Sequence, residues 1–423
     1  MEDILAKLEK GEVKPYEVEK LVWDGKEGTW EGACQKASDI RLKFLEKQTG
    51  KGFPGIAAAR VNTSSNRRGS PTTGIEQKIG GAVVPLGVAG PVSIDGQYAK
   101  GEFWVPAATN EAALVAGMNR GIKLINKSGG IKTVVNRDWM TRAPAVEAPD
   151  AGKAAELCEE INKKGDLYEE MKKAAESESR VSRLVDIQPF QLGRVVYLRF
   201  LFQTGDSMGM NSATRYSANA VKVLTGKHNW VRLLTLTGNM CMDKKAGHIN
   251  VLLGRGKSVE AEVVIKRELI EKTYSTTPED MARVSYVKNY QGACLAGTNT
   301  GYNLNTSNAI AALFIATGQD AAQIVESSSC FTRAEAHGKD LLFSITLPCL
   351  EVATVGGGTG FGTARECLEM LGCAGPGKSP GDNSRKLAEI IAAAVAAQEL
   401  NLLGAQANKY ELSDSHIKMA RGK

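Results

Sequence analysis

Five short stretches concentrate side chains able to move protons or hold charge: Thr109-Asn-Glu-Ala-Ala113, Gly205-Asp-Ser-Met-Gly-Met-Asn211, Asp243-Lys244-Lys245, Gly318-Gln319-Asp320 and Ser415-His416. Glu111 follows Thr109-Asn110 at a helix start, where an acid complements the positive end of the helix by a few tenths to about 1 kcal/mol. The same carboxyl group exchanges protons near neutral pH if burial and a neighbouring carboxylate raise its pKa. Lys244 and Lys245, taken alone, read as a solvated pair. Asp320 falls in a pattern running from Asn308 to Val325 that is apolar on nearly every face. A buried charge there is costly without a partner, so Asp320 is expected to be paired or functional. His416 lies in a polar tail close to Lys423, and imidazole changes charge near pH 7.

Two glycine-rich stretches point toward phosphate chemistry. Gly372-Cys-Ala-Gly-Pro-Gly-Lys-Ser379 fits the expression G-x-x-x-x-G-K-S, whose backbone amides cradle phosphates in nucleotide triphosphatases. Its setting is wrong for that use, because the loop must follow a strand and open a helix, whereas Thr363 to Leu371 reads as helix and Pro380-Gly-Asp-Asn follows. Gly356-Gly-Gly-Thr-Gly-Phe-Gly362 resembles a dinucleotide loop, yet no register of it gives G-x-G-x-x-G, so a Rossmann domain is not supported. The eight cysteines include no C-x-x-C pair and the four histidines stand at no ligand spacing, so no metal site is expected.

The elements that must carry these residues fall into blocks. Residues 1 to about 70 read as charged amphipathic helices ending in a polar loop, Asn62 to Pro71. Ile79 to Ile94 suits short buried strands and tight turns, and a helix follows from Glu111 to Asn126. Between 136 and 237 the reading is a strand at Ala145 to Ala148, helices at Gly152 to Lys164 and Leu167 to Glu176, and alternating runs that culminate in the strand Val195 to Phe202. A helix from Asn211 to Leu224 and a strand from Trp230 to Leu236 close the block. That β-α-β-β-α-β order is a ferredoxin-like module inserted between two parts of a larger domain, 71–135 and 238–412, with 413–423 as a mobile flap. The apolar helix from Asn308 to Val325 is expected to be the spine of the large domain, and an Ala-rich helix runs from Ser384 to Leu403. The expected class is α+β.

At 423 residues, 43% of them hydrophobic and 24% charged, the chain has the make-up of a multidomain globular protein. Its +6 charge is spread along the sequence rather than gathered into a basic block, which argues against nucleic acid and suits an anionic small ligand. The first ten residues mix charge with apolar spacing unlike a signal peptide, and no apolar run approaches the roughly 18 residues that span a bilayer. The expected location is the cytosol.

Taken together with Val83 to Pro91, Gly254-Arg-Gly-Lys-Ser258 and Thr354 to Thr359, the five stretches closely resemble those of the soluble archaeal type of class I hydroxymethylglutaryl-coenzyme A (HMG-CoA) reductases, from about Ile75 onward. The resemblance implies NADPH-dependent, four-electron reduction of HMG-CoA to mevalonate and coenzyme A through bound mevaldyl-CoA and mevaldehyde. It assigns Glu111, Lys244, Asp320 and His416 to catalysis: Glu111 exchanges the carbonyl proton, Lys244 stabilises the oxyanion, Asp320 links the two, and His416 protonates the departing thiolate. It assigns Arg142, Asp243, Lys245, Lys288 and Asn308 to the substrate pocket. It gives the cofactor Asp206, Met208, Gly209, Met210, Asn211, Gly356, Gly357, Gly358, Thr359 and Arg421, with the strand-to-helix turn at Asp206 to Asn211 facing the pyrophosphate. It also implies a homodimer, or a dimer of dimers, with the site at the subunit interface.

The chain departs from the family pattern at Ala112, Trp139 and Asn305, and Gly422 stands where animal enzymes carry a phosphorylatable serine. Rival readings are an NADH-using class II enzyme, a P-loop nucleotide hydrolase and a noncatalytic ligand-binding module.

Overall fold

The structure, a computed structural model, describes residues 2–23, 30–60, 65–67, 70–72, 75–411 and 413. The N-terminal region is helical: α1 (Glu2–Glu9), α2 (Val18–Val22), α3 (Trp30–Thr49) and α4 (Pro54–Ala58). Leu8, Val18, Ala37 and Ile40 form its own small core. The polar stretch expected as a loop is described only in part, and those parts pair as the strands β1 (Ser65–Arg67) and β2 (Ser70–Thr72).

The large sheet begins with β3 (Leu86–Gly96), β4 (Lys100–Ala108) and, after α5 (Leu114–Lys127), β5 (Ile131–Arg142). The apolar run leading into and starting β3 is less buried than its composition predicts: Val83, Leu86 and Val88 are 81%, 50% and 47% exposed. β5 pairs with β10 (Gly256–Ile265) through its first part and with β8 (Val195–Gln203) through its last three residues. One strand therefore joins two differently built halves.

The first of these halves is formed by β6 (Ala145–Glu147), α6 (Ala151–Asn162), α7 (Asp166–Glu176), β7 (Arg183–Leu192), β8, α8 (Met210–Lys227) and β9 (Arg232–Thr235). Its strands are all antiparallel in the order β9-β6-β8-β7. Alternation along β8 turns Val196, Leu198, Phe200 and Phe202 into a core that includes Leu157, Met171 and Leu224 from its helices.

The other half adds α9 (His248–Leu253), β10, α10 (Arg267–Tyr274), α11 (Pro278–Ser285), a π turn (Tyr286–Gly292), α12 (Ala293–Leu295) and β11 (Gly301–Tyr302). Then follow α13 (Thr306–Ala316), α14 (Ile324–Ser327), β12 (Cys330–His337), β13 (Asp340–Leu350), α15 (Gly362–Met370) and α16 (Asp382–Ala407).

Two helices, α13 and α16, depart from what the sequence leads one to expect. The apolar pattern expected as one helix to Val325 stops at Ala316, because Gly318 takes φ +66 and Asp320 caps a new turn by accepting the N–H of Ala322. The spine is α16 instead, buried on every face from Leu387 to Asn401. Its length and apolarity meet those of a membrane span, against the expectation that no run did so, but 94% of that window is buried inside the fold. It meets α5 at Gly121, where a Cβ would fall 1.9 Å from the Ala397 carbonyl oxygen. Two buried acids on α16 are satisfied by backbone: Glu389 accepts N–H groups of Gln97, Tyr98 and Ala99, and Glu399 those of Leu304 and Asn305.

Candidate active site

Lys244 sits in the loop between β9 and α9 with a left-handed φ of +57. Its Nζ forms an ion pair with Asp320 Oδ2 at 2.9 Å. The hydrogen bond to Asp320 holds the ammonium pKa above its ordinary value, against partial burial. Asp320 is not in an apolar helix, as expected, but in the turn after α13, half-buried and paired as that expectation requires.

Glu111 lies in the turn before α5, not inside the helix, with its N–H donating to Thr109 Oγ1. Its Oε2 accepts from Asn308 Nδ2 at 2.6 Å, so the first turn of α13 meets the start of α5. Glu111 and Lys288 line one cavity of about 360 Å³ with Arg120, Asn305 and Gln398. Lys288 is carried by the π turn, a distortion that marks functional segments in helices. No hydrogen bond among the described residues joins Glu111 to Lys244 or Asp320. Within one chain the carboxyl and ammonium groups form two separate pairs.

Asp243 is the hub behind Lys244. Its carboxylate accepts from Arg255 Nη2 at 2.8 Å and Gln323 Nε2 at 3.2 Å, and it faces Arg142 Nη1 at 3.5 Å. Arg142 also donates through Nε to Thr214 Oγ1 on α8, while Lys245 Nζ reaches back to the Asp243 carbonyl. Arg255 was missed as a site residue, although Gly254-Arg-Gly-Lys-Ser258 was part of the resemblance. It is fully buried and also meets Glu351 at 2.5 Å and Glu326 at 3.5 Å. The indole N–H of Trp139, at one of the departing positions, donates to the Leu253 carbonyl and braces this turn.

The residues expected at the cofactor divide into two kinds. Asp206 is buried, and its carboxylate accepts the N–H groups of Gly377, Gly381 and Ser384, while its carbonyl accepts those of Thr354 and Val355. It therefore caps α16 and holds the glycine turn in place rather than offering a free carboxylate. The same contacts explain the phosphate-loop expression at Gly372 to Ser379, whose amide at Gly377 is turned onto a carboxylate of its own chain.

The second kind remains open. The N-terminus of the 18-residue helix α8, at Gly209, Met210 and Asn211, has no side-chain cap, so its first amides are free for phosphate oxygens. Met208 packs against the core beneath, and Met210 Sδ accepts from Arg255 Nη2. In the turn at Gly356 to Thr359, the Cβ position of Gly357 faces open space, and Thr359 Oγ1 donates to the Gly356 carbonyl. An uncapped helix start and a glycine turn open at Gly357 fit a pyrophosphate-bearing cofactor. His416 and Arg421 lie outside the described residues. Among the described residues no group of His, Cys, Asp and Glu is placed to hold a metal ion.

The α+β scaffold thus presents an ion-paired Lys244 and an uncapped helix start, and comparison with known proteins gives its family. Residues 37–421 match the family model described as hydroxymethylglutaryl-coenzyme A reductase. The chain is 44% identical over 422 residues to 3-hydroxy-3-methylglutaryl-coenzyme A reductase of Pyrococcus abyssi, covering 100% of both chains. It is 41% identical to the protein of that name from Methanocaldococcus jannaschii, covering 99% of each. Among solved structures, the class II enzyme of Streptococcus pneumoniae bound to NADPH in open conformations is similar at a TM-score of 0.62. That match has 20% sequence identity and covers 90% of this chain and 100% of that one, which shows the shared fold.

The chain belongs to the hydroxymethylglutaryl-coenzyme A reductase family. Its resemblance to the class I archaeal type agrees with these relatives, and its reaction is the family's reduction of HMG-CoA to mevalonate.

Proposed function

We propose that the reduction proceeds in two stages at one site, through mevaldyl-CoA and then mevaldehyde, with Lys244 as the group that stabilises charge on the reacting oxygen in both. The observation that carries this reading is the Lys244–Asp320 pair at 2.9 Å. It keeps an ammonium charged in an exposed loop, where a fixed cation stabilises the negative charge that develops on a carbonyl oxygen. NADPH supplies the hydride. Asp320 orients Lys244 and holds its proton, and Glu111, steadied by Asn308, gives a proton to the oxygen during the second reduction. His416 protonates the coenzyme A thiolate in the first stage only.

Arg142, Asp243, Lys245, Lys288 and Asn308 form the pocket for the methylglutaryl group, whose carboxylate suits Lys288 at the cavity it shares with Glu111. The amides at Gly209 to Asn211 and the turn at Gly356 to Thr359 hold the cofactor, with Arg421 added from the C-terminal flap. The antiparallel order β9-β6-β8-β7 supports a ferredoxin-like cofactor module, and the separate cores on either side of β5 support the division near residue 136. The separation of the Glu111 and Lys244 pairs within one chain supports a site completed at the interface of a homodimer or a dimer of dimers. The cytoplasm is the location that the resemblance to the soluble archaeal type implies, and α16 packs its apolar length inside the fold.

The test is Lys244→Ala assayed separately with HMG-CoA and with mevaldehyde. Loss of a well-placed charge donor lowers both rates by roughly 100- to 1000-fold. Near-normal turnover of either substrate contradicts the assignment.

A further inference from the structure

Behind the Asp243-Lys244-Lys245 loop lies a buried group of charges that the reaction scheme does not use. Glu326 on α14 and Glu351 just after β13 are 0% and 1% exposed, and both face the fully buried Arg255. Glu326 Oε1 accepts the main-chain N–H of Lys244 at 2.8 Å. Arg255 grips the preceding residue through Asp243 Oδ1. The loop is therefore held at two successive residues, by an acceptor on the Lys244 amide and a donor on the Asp243 carboxylate. Lys244 has a backbone conformation that side-chain-bearing residues adopt at a cost, and such a conformation persists only where the surroundings enforce it.

Burial pushes the Glu351 carboxyl well above the usual carboxylate range and raises that of Glu326 as well. Neither oxygen of Glu351 accepts an aligned hydrogen bond from a nitrogen donor.

We propose that Glu326, backed by Arg255 and Glu351, is a positioning residue for Lys244: by accepting the Lys244 amide it fixes the left-handed backbone that aims Nζ at Asp320 and the reacting oxygen. This rests on the role given to Lys244 above. Glu326 touches no reacting atom, and its effect passes through the placement of one ammonium group. A group that served only to hold the fold together would change stability and leave turnover alone.

The experiment compares Glu326→Leu, Glu326→Gln, Lys244→Ala and the double variant Lys244→Ala/Glu326→Leu, each checked by thermal unfolding and NADPH binding. Glu326→Leu removes the acceptor, and misplacing a catalytic group by about 1 Å costs about 100-fold. The expected loss is of that size in kcat, with KM for HMG-CoA changed little. Glu326→Gln, whose carbonyl oxygen still accepts the amide and whose NH2 can donate to Glu351, retains most of kcat. The double variant is no slower than Lys244→Ala, because the second change acts through a side chain already absent. Should Glu326→Leu not fold, Glu326→Ser, too short to reach the amide but able to admit water, takes its place. Full kcat in the folded Leu or Ser variant beside an inactive Lys244→Ala overturns the proposal while leaving the role of Lys244 intact. A multiplied loss in the double variant also overturns it. Normal turnover by Lys244→Ala overturns the reading of Lys244, and this proposal with it.

Discussion

Gly318 and Gly358 pack backbone against backbone: a Cβ on Gly318 would fall 2.5 Å from the Gly358 carbonyl oxygen, and one on Gly358 would fall 2.7 Å from that of Gly318. The contact joins the turn that carries Asp320 to the glycine turn proposed for the cofactor. Neither side can give way by rotating a side chain. Gly358→Ala is therefore expected to force the two turns apart, at about 1–3 kcal/mol of stability, and to lower turnover. Thermal unfolding and initial rates check this together. An unchanged melting temperature with unchanged turnover would show that the turns are not coupled.

The Lys244–Asp320 pair gives a pH dependence whose sign follows from the raised ammonium pKa. The hydrogen bond that Lys244 donates to Asp320 favours the charged form, so Lys244 stays protonated to higher pH than an ordinary lysine and loses its charge only as pH rises through the raised value. Asp320→Asn removes that support. The alkaline limb of the kcat profile is expected to move to lower pH in the variant. A limb that stays in place would separate Asp320 from the protonation of Lys244.

Asp206 supplies the cap that α16 lacks in its own sequence, with its carboxylate on the amides of Gly377, Gly381 and Ser384. Loss of an N-cap costs about 0.5–2 kcal/mol, and buried donors left without a charged acceptor add to that. Asp206→Ala is expected to destabilise the protein by at least about 2 kcal/mol, and Asp206→Asn by less, since one acceptor oxygen remains. Denaturant unfolding measures both. An alanine variant as stable as the wild type but unable to bind NADPH would make Asp206 a direct cofactor ligand instead.

How far these features could be read from the sequence depends on how local their causes are. The strand at Val195 to Phe202 and the helices flanking it were legible because alternation and helical spacing are written in consecutive residues. The end of α13 was also written locally, in the glycine at 318 followed by a capping aspartate at 320, but the apolar residues from Ala321 onward masked it. Lys288 was found by resemblance, whereas its π turn has no spacing signal of its own. The cluster of Arg255, Glu326 and Glu351 was not legible. Its members come from the turn before β10, from α14 and from the residue after β13, and each alone reads as an ordinary charged residue. The same holds for Asp206, whose partners lie more than a hundred residues away. Sequence offered candidate groups for chemistry and gave no sign of the buried charges packed behind them.

The central claim is that one site, with Lys244 as its cation, carries both reductions before mevalonate leaves. The most direct measurement follows NADPH absorbance with saturating HMG-CoA while titrating the coenzyme A thiol released in the same reaction. About two NADPH are expected to be oxidised for each thiol, with no free mevaldehyde accumulating, as a bound intermediate requires. A ratio near one, with mevaldehyde appearing in solution, would contradict it.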